Sequence, residues 1–329
     1  ILLGSIWAYY ELGWGGFWFW DPVENISLMP WLSLTALLHC ILTLEKRDLF
    51  KNWSIILSIV TFMLSVSGTF LVRSGILNSV HTFANDPSRG IYILIFLFVL
   101  IFISFVIFFI FENKNLENKK EIFFLSKETS VLINNWFMIY FLSVVLIGTV
   151  YPIFLDVITS EKISVGPPFY NKLLIPFLIP FFLFMSVGPS MNWIKTNLKF
   201  KVSHIYYFLF TSTATIITIY VLSQKDFLII ILIFSLLFLT IKTIANFLKK
   251  NTNHAQNVSH LGFAMLMLSI LFNSISSTEI IKNIKVGDSF VSKNEKITFE
   301  KVKTNEKKNY SSIIGTFEIK NNNNKIIKL

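Results

Sequence analysis

Long apolar runs constrain this chain more than any other feature. Runs of roughly the 18 to 25 residues that a bilayer-spanning helix needs lie at about 28–44, 53–72, 91–111, 131–155, 172–191, 205–222, 227–245 and 257–275. Hydrophobic residues make up 53% of the chain, which excludes an ordinary soluble domain. The sequence therefore predicts an all-α polytopic membrane protein with eight complete spans.

The two ends of the chain differ from this apolar middle. Residues 1–10 have no cap and no polar lead-in, so we expect the end of a preceding transmembrane helix and a fragment of a longer chain. Residues 11–27 then form an outer loop, and residues 28–275 carry the spans. Residues 276–329 are polar with alternating patches, which predicts a small, truncated β-rich extramembrane domain.

Basic residues predict the orientation in the membrane. They concentrate in alternate connecting segments, namely 45–51, 112–127, 192–203 and 246–256. By the positive-inside rule these segments face the cytoplasm or matrix, and the 11–27 loop and the tail face the opposite compartment. The net charge of +10 therefore reflects orientation in a lipid bilayer, and no nucleic-acid partner is expected.

Cysteine is almost absent. The single Cys40 allows neither an intrachain disulfide nor a Cys-x-x-Cys pair. The chain is therefore neither a thiol oxidoreductase nor a c-type cytochrome.

Tryptophan is concentrated in one segment. Residues 7–31 contain five of the eight tryptophans, and Trp14, Trp18 and Trp20 alternate with glycines at 13, 15 and 16. Interfacial anchoring is the ordinary role of such rings in membrane proteins. Their density favours a flat aromatic platform instead, because glycine lets a large planar ligand approach the backbone.

The segment closes with a helix start signal. Asp21, Pro22 and Glu24 stand at the N-cap, first and third helical positions of a capping box. We therefore expect a helix to begin at Pro22. Asp21 is then its cap rather than a catalytic acid.

Two histidines lie inside predicted spans. His39 has Thr35, Ala36 and Thr43 one turn away, and His260 precedes Leu261-Gly262. Counting from the inner basic segments at about 1.5 Å per residue puts both imidazoles at similar depth, where they could ligate one heme iron. The alternative is that each hydrogen-bonds a neighbouring helix.

A third histidine lies in the predicted outer loop at 73–90. Neutral imidazole is a good axial ligand of heme iron, so His81 is a candidate ligand on the side of the tryptophans. Arg73 could pair with a heme propionate. An arginine whose head simply reaches the interface is the alternative.

These residues resemble a known family. Residues 14–25 are similar to the tryptophan-rich "WWD" signature of heme-handling membrane proteins, and residues 68–75 with 79–81 resemble the following region of CcmF-type heme lyase subunits. The likeness continues through residues 87–90, 166–169, 188–189 and 260–262. It favours CcmF over the shorter CcmC family and leaves the NrfE paralogues as an alternative. Phe17 departs from the pattern, since many members have tryptophan there.

The resemblance implies an activity and two heme sites. A cytochrome c heme lyase adds the two thiols of an apocytochrome Cys-x-x-Cys-His motif across the heme vinyl groups. His39 and His260 would be the axial ligands of a resident heme b, which is reduced by quinol. The expected site for the substrate heme comprises Trp14, Trp18, Trp20, Asp21, Arg73 and His81.

The resemblance also implies partners and a location. The partners would be the heme chaperone CcmE, apocytochrome-handling subunits of the CcmH and CcmI type, and apocytochrome c. The location would be the bacterial inner membrane, or the mitochondrial inner membrane if the source is an organelle. Two rivals remain, a heme exporter or delivery module without bond-forming activity and a generic secondary transporter.

Overall fold

The computed structural model describes residues 1–11, 17–76, 86–111, 121–159, 163–197, 202–249, 253–277, 282–292, 295–306, 311–321 and 326–328. The chain forms two compact units, Ile1–Leu271 and Phe272–Leu329. Each unit is described by itself below.

Helices dominate the chain before the sheet. In the described residues they are α1 (Leu2–Glu11), α2 (Pro22–Arg47), α3 (Lys51–Arg73), α4 (Pro87–Phe111), α5 (Lys127–Thr159), α6 (Pro167–Val187), α7 (Val202–Leu222), α8 (Phe227–Phe247) and α9 (His254–Ser276). By length and composition, eight of these, α2 to α9, can cross a membrane. The eight predicted spans are thereby confirmed.

Most helices begin a few residues before their apolar runs, because polar residues form the first turn of the helix. α2 begins at Pro22 with Asp21 as its N-cap, as the capping pattern predicts. Asp226 caps α8, where its Oδ1 accepts the backbone N–H of Leu228 at 2.9 Å. α6 instead ends at Val187, before the predicted end of its run, because Gly188–Ser190 tightens into a 3-10 turn.

α2 lies at the centre of the helical unit. It packs against α3 and α5, while α6 packs against α5 and α8. The α2–α3 approach is so close that a Cβ atom at Gly68 would stand 2.6 Å from Ile26 Cγ2. Ala36 and Cys40 of α2 are fully buried in the core. The helix that carries the capped start and His39 is therefore held on several sides.

An ion pair fixes the end of α2. Arg47 Nε donates to Glu128 Oε1 at 2.7 Å, and the Glu128 side chain is 1% exposed. Glu128 also accepts the backbone N–H of Ile194 at 3.0 Å. The pair thus joins α2, the first turn of α5 and the segment after α6 at one end of the bundle.

Replacing Arg47 by methionine should destabilise the helical unit by about 3 kcal/mol, because it leaves a buried carboxylate without its cation. The measurement is the unfolding free energy of the detergent-purified protein in an SDS titration. Lys46→Met is the matched control, since Lys46 pairs with Glu45 in an exposed position and such pairs contribute little. Equal effects of the two substitutions would contradict the assignment.

The second unit contains an antiparallel sheet. Its described strands are β1 (Ser289–Ser292), β2 (Glu295–Glu306), β3 (Ser311–Asn321) and β4 (Ile326–Lys328), in the order β1-β2-β3-β4. Phe299 and Phe317 are cross-strand partners whose rings stack at 4.7 Å. The predicted β-rich character is confirmed.

Candidate functional site

The predicted site residues lie on or just before three helices: Trp18, Trp20 and Asp21 before α2, His39 on α2, Arg73 at the end of α3 and His260 on α9. The aromatic segment lies at the start of α2, and His39 lies three residues past the buried Ala36 toward the end of this helix. Trp14 and His81 lie outside the described residues, so their predicted roles stay predictions.

Trp20 is held by a residue from α6. Its ring stacks on Tyr170 with centroids 4.1 Å apart and an interplanar angle of 8°. Asn25 ties the two together, because its Nδ2 donates to the Trp20 carbonyl at 3.1 Å and to the Tyr170 hydroxyl oxygen at 2.9 Å. Asn25 and Tyr170 are each 1% exposed. We call these three residues the aromatic anchor.

The capping box fixes the backbone around the anchor. Asp21 Oδ2 accepts the backbone N–H of Val23 at 3.0 Å. Glu24 Oε2 accepts the backbone N–H groups of Phe19 at 2.9 Å and of Asp21 at 3.1 Å. The prediction that Asp21 caps α2 is confirmed. Its side chain also lines a cavity, described below.

The described tryptophans do not form the flat platform that the sequence predicted. The Trp18 and Trp20 rings are 6.0 Å apart and nearly perpendicular, at 88°. The backbone turns at Trp20, whose φ of 59° lies in the left-handed region, and Tyr170 occupies one face of its ring. Phe17, the departure from the family pattern, stacks on Tyr9 of α1 at 4.6 Å.

Gly148 of α5 makes the anchor possible. A Cβ atom at this position would stand 2.7 Å from the Tyr170 hydroxyl oxygen and 2.9 Å from Phe169. Tyr170 can therefore reach Trp20 only because α5 has no side chain here.

A cavity of about 430 Å³ lies beside the anchor. Its wall includes residues from the start of α2, the end of α5 and the segment before α6, among them Trp20, Asp21, Asn25, Gly148, Asp156 and Tyr170. Its volume is within the range of small-ligand sites. The structure thus joins the predicted aromatic segment to parts of the chain that the sequence did not connect with it.

Arg73 stands close to the same end of the bundle. It is the last residue of α3, and its carbonyl oxygen accepts the N–H of Asp86 at 2.9 Å. Ile76, three residues later, lines the cavity. The α3 end and the aromatic anchor therefore border one region.

The His39 ring forms a hydrogen bond within its own helix. Its Nδ1–H donates to the carbonyl oxygen of Thr35 at 2.8 Å, since a carbonyl can only accept. This hydrogen bond fixes the tautomer and leaves the Nε2 lone pair for an external partner. Thr43 Oγ1 in turn donates to the His39 carbonyl oxygen at 2.9 Å.

His260 lies on α9, one turn before an alanine of the core. Ala264, one turn from His260, is buried in the same core cluster as Ala36, one turn from His39.

The neighbouring side chains suit a flat apolar group. Phe263, on the His260 face of α9, contacts Trp31 of α2 at 6.2 Å and Phe182 of α6 at 6.3 Å between centroids. Aromatic rings therefore lie on the two helices that carry His39 and His260, and such rings suit the edge of a porphyrin. The residues present therefore fit a heme between α2 and α9.

Sequence reasoning missed Tyr170, Asn25 and Gly148. Tyr170 follows the Gly-Pro-Pro-Phe segment at 166–169, which was noted only as a point of family likeness. Asn25 is the fourth residue of α2 and could be read as an ordinary first-turn residue. No local signal pairs either residue with Trp20.

Comparison with known proteins shows that the chain is similar to proteins of cytochrome c assembly and biogenesis. The family described as "Cytochrome C assembly protein" matches residues 1–77. The cytochrome c-type biogenesis protein CcmF of Pseudomonas fluorescens is 36% identical over 346 residues, which cover 100% of this chain and 52% of the relative. CcmF of Escherichia coli (strain K12) is 35% identical, over 97% of this chain and 51% of the relative.

NrfE paralogues are also among the relatives. NrfE of Haemophilus influenzae is 42% identical over 58% of this chain and 30% of the relative. A solved structure described as "Cytochrome c Heme Lyase CcmF" has the same fold, with a TM-score of 0.73 and 22% identity over 99% of this chain and 51% of its own. The chain spans about half the length of the curated CcmF relatives.

Proposed function

The chain belongs to the same family as the CcmF cytochrome c-type biogenesis proteins, and we propose that it is the heme-handling membrane part of a cytochrome c heme lyase. In this reaction each cysteine S–H of the apocytochrome motif adds across one heme vinyl group, so that a C–S bond and a C–H bond form and no atom is lost. The aromatic anchor is the observation that carries the proposal. It holds one tryptophan ring in a fixed plane at the capped start of α2.

The described residues support positioning rather than covalent catalysis. The Trp20 ring stacks on Tyr170, and the two hydrogen bonds of Asn25 and the capping box hold the surrounding backbone. The ring is therefore ordered before the substrate binds. Holding the reacting groups in a fixed orientation is how a protein of this kind contributes to a reaction. Trp18, perpendicular to Trp20, would border the porphyrin edge. Arg73 would face a propionate, and Trp14 and His81 would complete the site for the substrate heme.

A second heme site lies deeper along α2. His39 and His260 would hold a resident heme b by their Nε2 atoms, and Thr35 would orient the His39 ring. When bound, this group would carry electrons from quinol that keep the substrate heme ferrous. An exporter has no need of an electron carrier, so the imidazole pair favours the lyase over a pure delivery module.

The partners follow from the same family. The full-length protein would receive heme from a chaperone of the CcmE type and the apocytochrome from subunits of the CcmH and CcmI type. A multi-pass protein of this composition would lie in the bacterial inner membrane, or in the mitochondrial inner membrane if an organelle encodes it.

Replacing Trp20 by alanine in the full-length protein should reduce heme attachment at least tenfold, because the site loses its one clamped ring. The measurement is covalent heme staining of a c-type cytochrome in cells whose own copy is deleted, normalised to the level of the membrane protein. Trp20→Phe should retain a substantial fraction, since phenylalanine keeps a ring that can stack on Tyr170.

Trp136→Ala serves as the control, because this tryptophan is 65% exposed on the apolar surface of α5. If all three proteins attach heme at the level of the wild type, the aromatic anchor has no part in the reaction. If heme reaches the protein but no thioether forms even with all partners present, the delivery module is the better account.

A further inference from the structure

A groove between α7 and α8 lies apart from the residues proposed for the two hemes. It has a volume of about 530 Å³. Its wall consists of Tyr206, Tyr207, Leu209, Phe210, Thr213 and Ile241. We propose that this groove binds an anionic phospholipid, whose phosphate pairs with Lys242 of α8 and whose acyl chain lies along the groove. The inference is independent of the proposed function, since it involves no residue of the heme sites.

Lys242 provides the first argument, because it is a buried cation. It is 7% exposed, and its Nζ lies 4.7 Å from the centroid of the Tyr207 ring. Within the described part of the chain, the Lys242 ammonium group has no ion pair and no hydrogen bond. Charged side chains in membrane spans are almost always paired, and an aromatic ring replaces only part of the hydration that a buried ammonium group loses. An anion is therefore the partner that this site needs.

The Lys242 ammonium group can be reached from outside the bundle. Among the described residues, the enclosed polar side-chain atoms that lack a hydrogen-bond partner belong to four other residues, so Lys242 Nζ is not enclosed. Tyr207 is five residues past the first residue of α7, and Lys242 is five residues before the last residue of α8. Both lie about 8 Å from the same end of this antiparallel pair. A lysine at this depth extends its charged group to the headgroup region.

The same end of the helix pair is strongly basic. The segments that lead into α7 and out of α8 contain Lys199, Lys201, Lys249 and Lys250. Neither 192–222 nor 227–277 contains an aspartate or a glutamate. A phosphate group at this end therefore meets no carboxylate from either helix or its flanking segments. Basic pockets between transmembrane helices are typical sites for the headgroups of anionic lipids.

The groove itself suits an acyl chain. Apart from Thr213 and the two tyrosine hydroxyl groups, its wall is apolar. Tyr206, Leu209 and Phe210 are each more than half exposed, so they face the surroundings of the bundle, which are lipid for helices that can cross a membrane. Tyrosine near the end of a span is typical of the headgroup level. A soluble phosphate would gain the contact with Lys242 but not the groove, which favours a phospholipid as the occupant.

The test is native mass spectrometry of the full-length protein in detergent with equal amounts of phosphatidylglycerol and phosphatidylcholine. The two lipids have acyl chains of the same length, and those of phosphatidylcholine are deuterated so that the masses differ. We expect the wild type to retain phosphatidylglycerol about fivefold more than phosphatidylcholine, the effect of one lysine near a membrane surface. Lys242→Met should remove most of this preference. Lys242→Arg should keep it, because arginine retains the cation.

Two matched controls separate the site from general charge and shape. Lys46→Met removes an exposed lysine at the end of α2 and should leave the preference unchanged. Thr213→Phe narrows the groove without a change of charge, so it should lower the affinity for phosphatidylglycerol about fourfold, the loss of roughly one buried methylene group. Val221→Phe, at an exposed position in the last turn of α7, should not.

An unchanged preference in Lys242→Met would overturn the inference, and so would an equal loss in Lys46→Met. A wild-type affinity in Thr213→Phe would also overturn it, because the lipid would then lie outside the groove. Displacement of the lipid by an excess of glycerol 3-phosphate would contradict it as well, since a soluble phosphate would then be a sufficient ligand.

Discussion

Replacing His39 or His260 by alanine in the full-length protein should lower its content of non-covalent heme at least tenfold. Each substitution would remove one of the two proposed axial ligands, and a single remaining imidazole in an apolar bundle would hold iron much less tightly. The reduced pyridine hemochrome spectrum of the purified protein measures the heme per polypeptide. His204→Ala and His254→Ala are matched controls, because these two histidines are exposed at the first turns of α7 and α9.

A substitution of Thr35 provides a further control for this prediction. The hydrogen bond to His39 Nδ1 comes from the Thr35 backbone, so a Thr35→Val substitution should leave the heme content near that of the wild type. Unchanged heme content in His39→Ala and His260→Ala would remove the resident heme from this site and with it the argument against a pure delivery module.

The second large effect concerns Tyr170. Its replacement by alanine should destabilise the helical unit by about 3 to 5 kcal/mol, as expected for a buried aromatic side chain, and should abolish heme attachment. The ring is fully packed between Trp20 and Gly148 and makes a hydrogen bond to Asn25. Cytochrome heme staining and an SDS unfolding titration measure the two consequences.

The Tyr170→Phe substitution distinguishes the role of the aromatic ring from the role of the hydroxyl group. It keeps the ring on Trp20 but loses the hydroxyl that accepts from Asn25, so we expect a loss of about 1 kcal/mol and retention of most heme attachment. A protein in which Tyr170→Phe is as inactive as Tyr170→Ala while remaining folded would mean that the hydroxyl group, and not the stacked ring, carries the role.

Features encoded locally were predictable from the sequence. The eight spans follow from runs of apolar residues, and the start of α2 follows from Asp21, Pro22 and Glu24, which lie within four consecutive positions. Among the described strands, the two longest, β2 and β3, contain the alternating patches at 296–300 and 312–317. In each case the signal and the structure it specifies occupy the same short segment.

Features built from distant segments were not predictable. Asn25 and Tyr170 are 145 residues apart, and only the packing of α2, α5 and α6 brings them together. Arg47 was counted among the basic residues that orient the chain, yet it forms a buried ion pair with Glu128 of α5. The perpendicular arrangement of Trp18 and Trp20 was not predictable for the same reason, because Tyr170 of a distant helix takes one face of Trp20.

The positions of His39 and His260 were predictable only in part. Counting residues from the loops placed both imidazoles at similar depth, and the structure locates each of them one turn from an alanine in a shared core. Counting residues does not predict which imidazole nitrogen could bind a ligand. The hydrogen bond from His39 Nδ1 to the Thr35 carbonyl oxygen shows that this nitrogen is Nε2.

The most direct test of the account is the low-temperature EPR spectrum of the oxidised full-length protein, purified without added heme. The account predicts a low-spin ferric signal typical of two imidazole ligands, which disappears in both His39→Ala and His260→Ala. A heme-free protein, or a high-spin signal that both substitutions leave unchanged, would contradict the claim that α2 and α9 hold a heme between them.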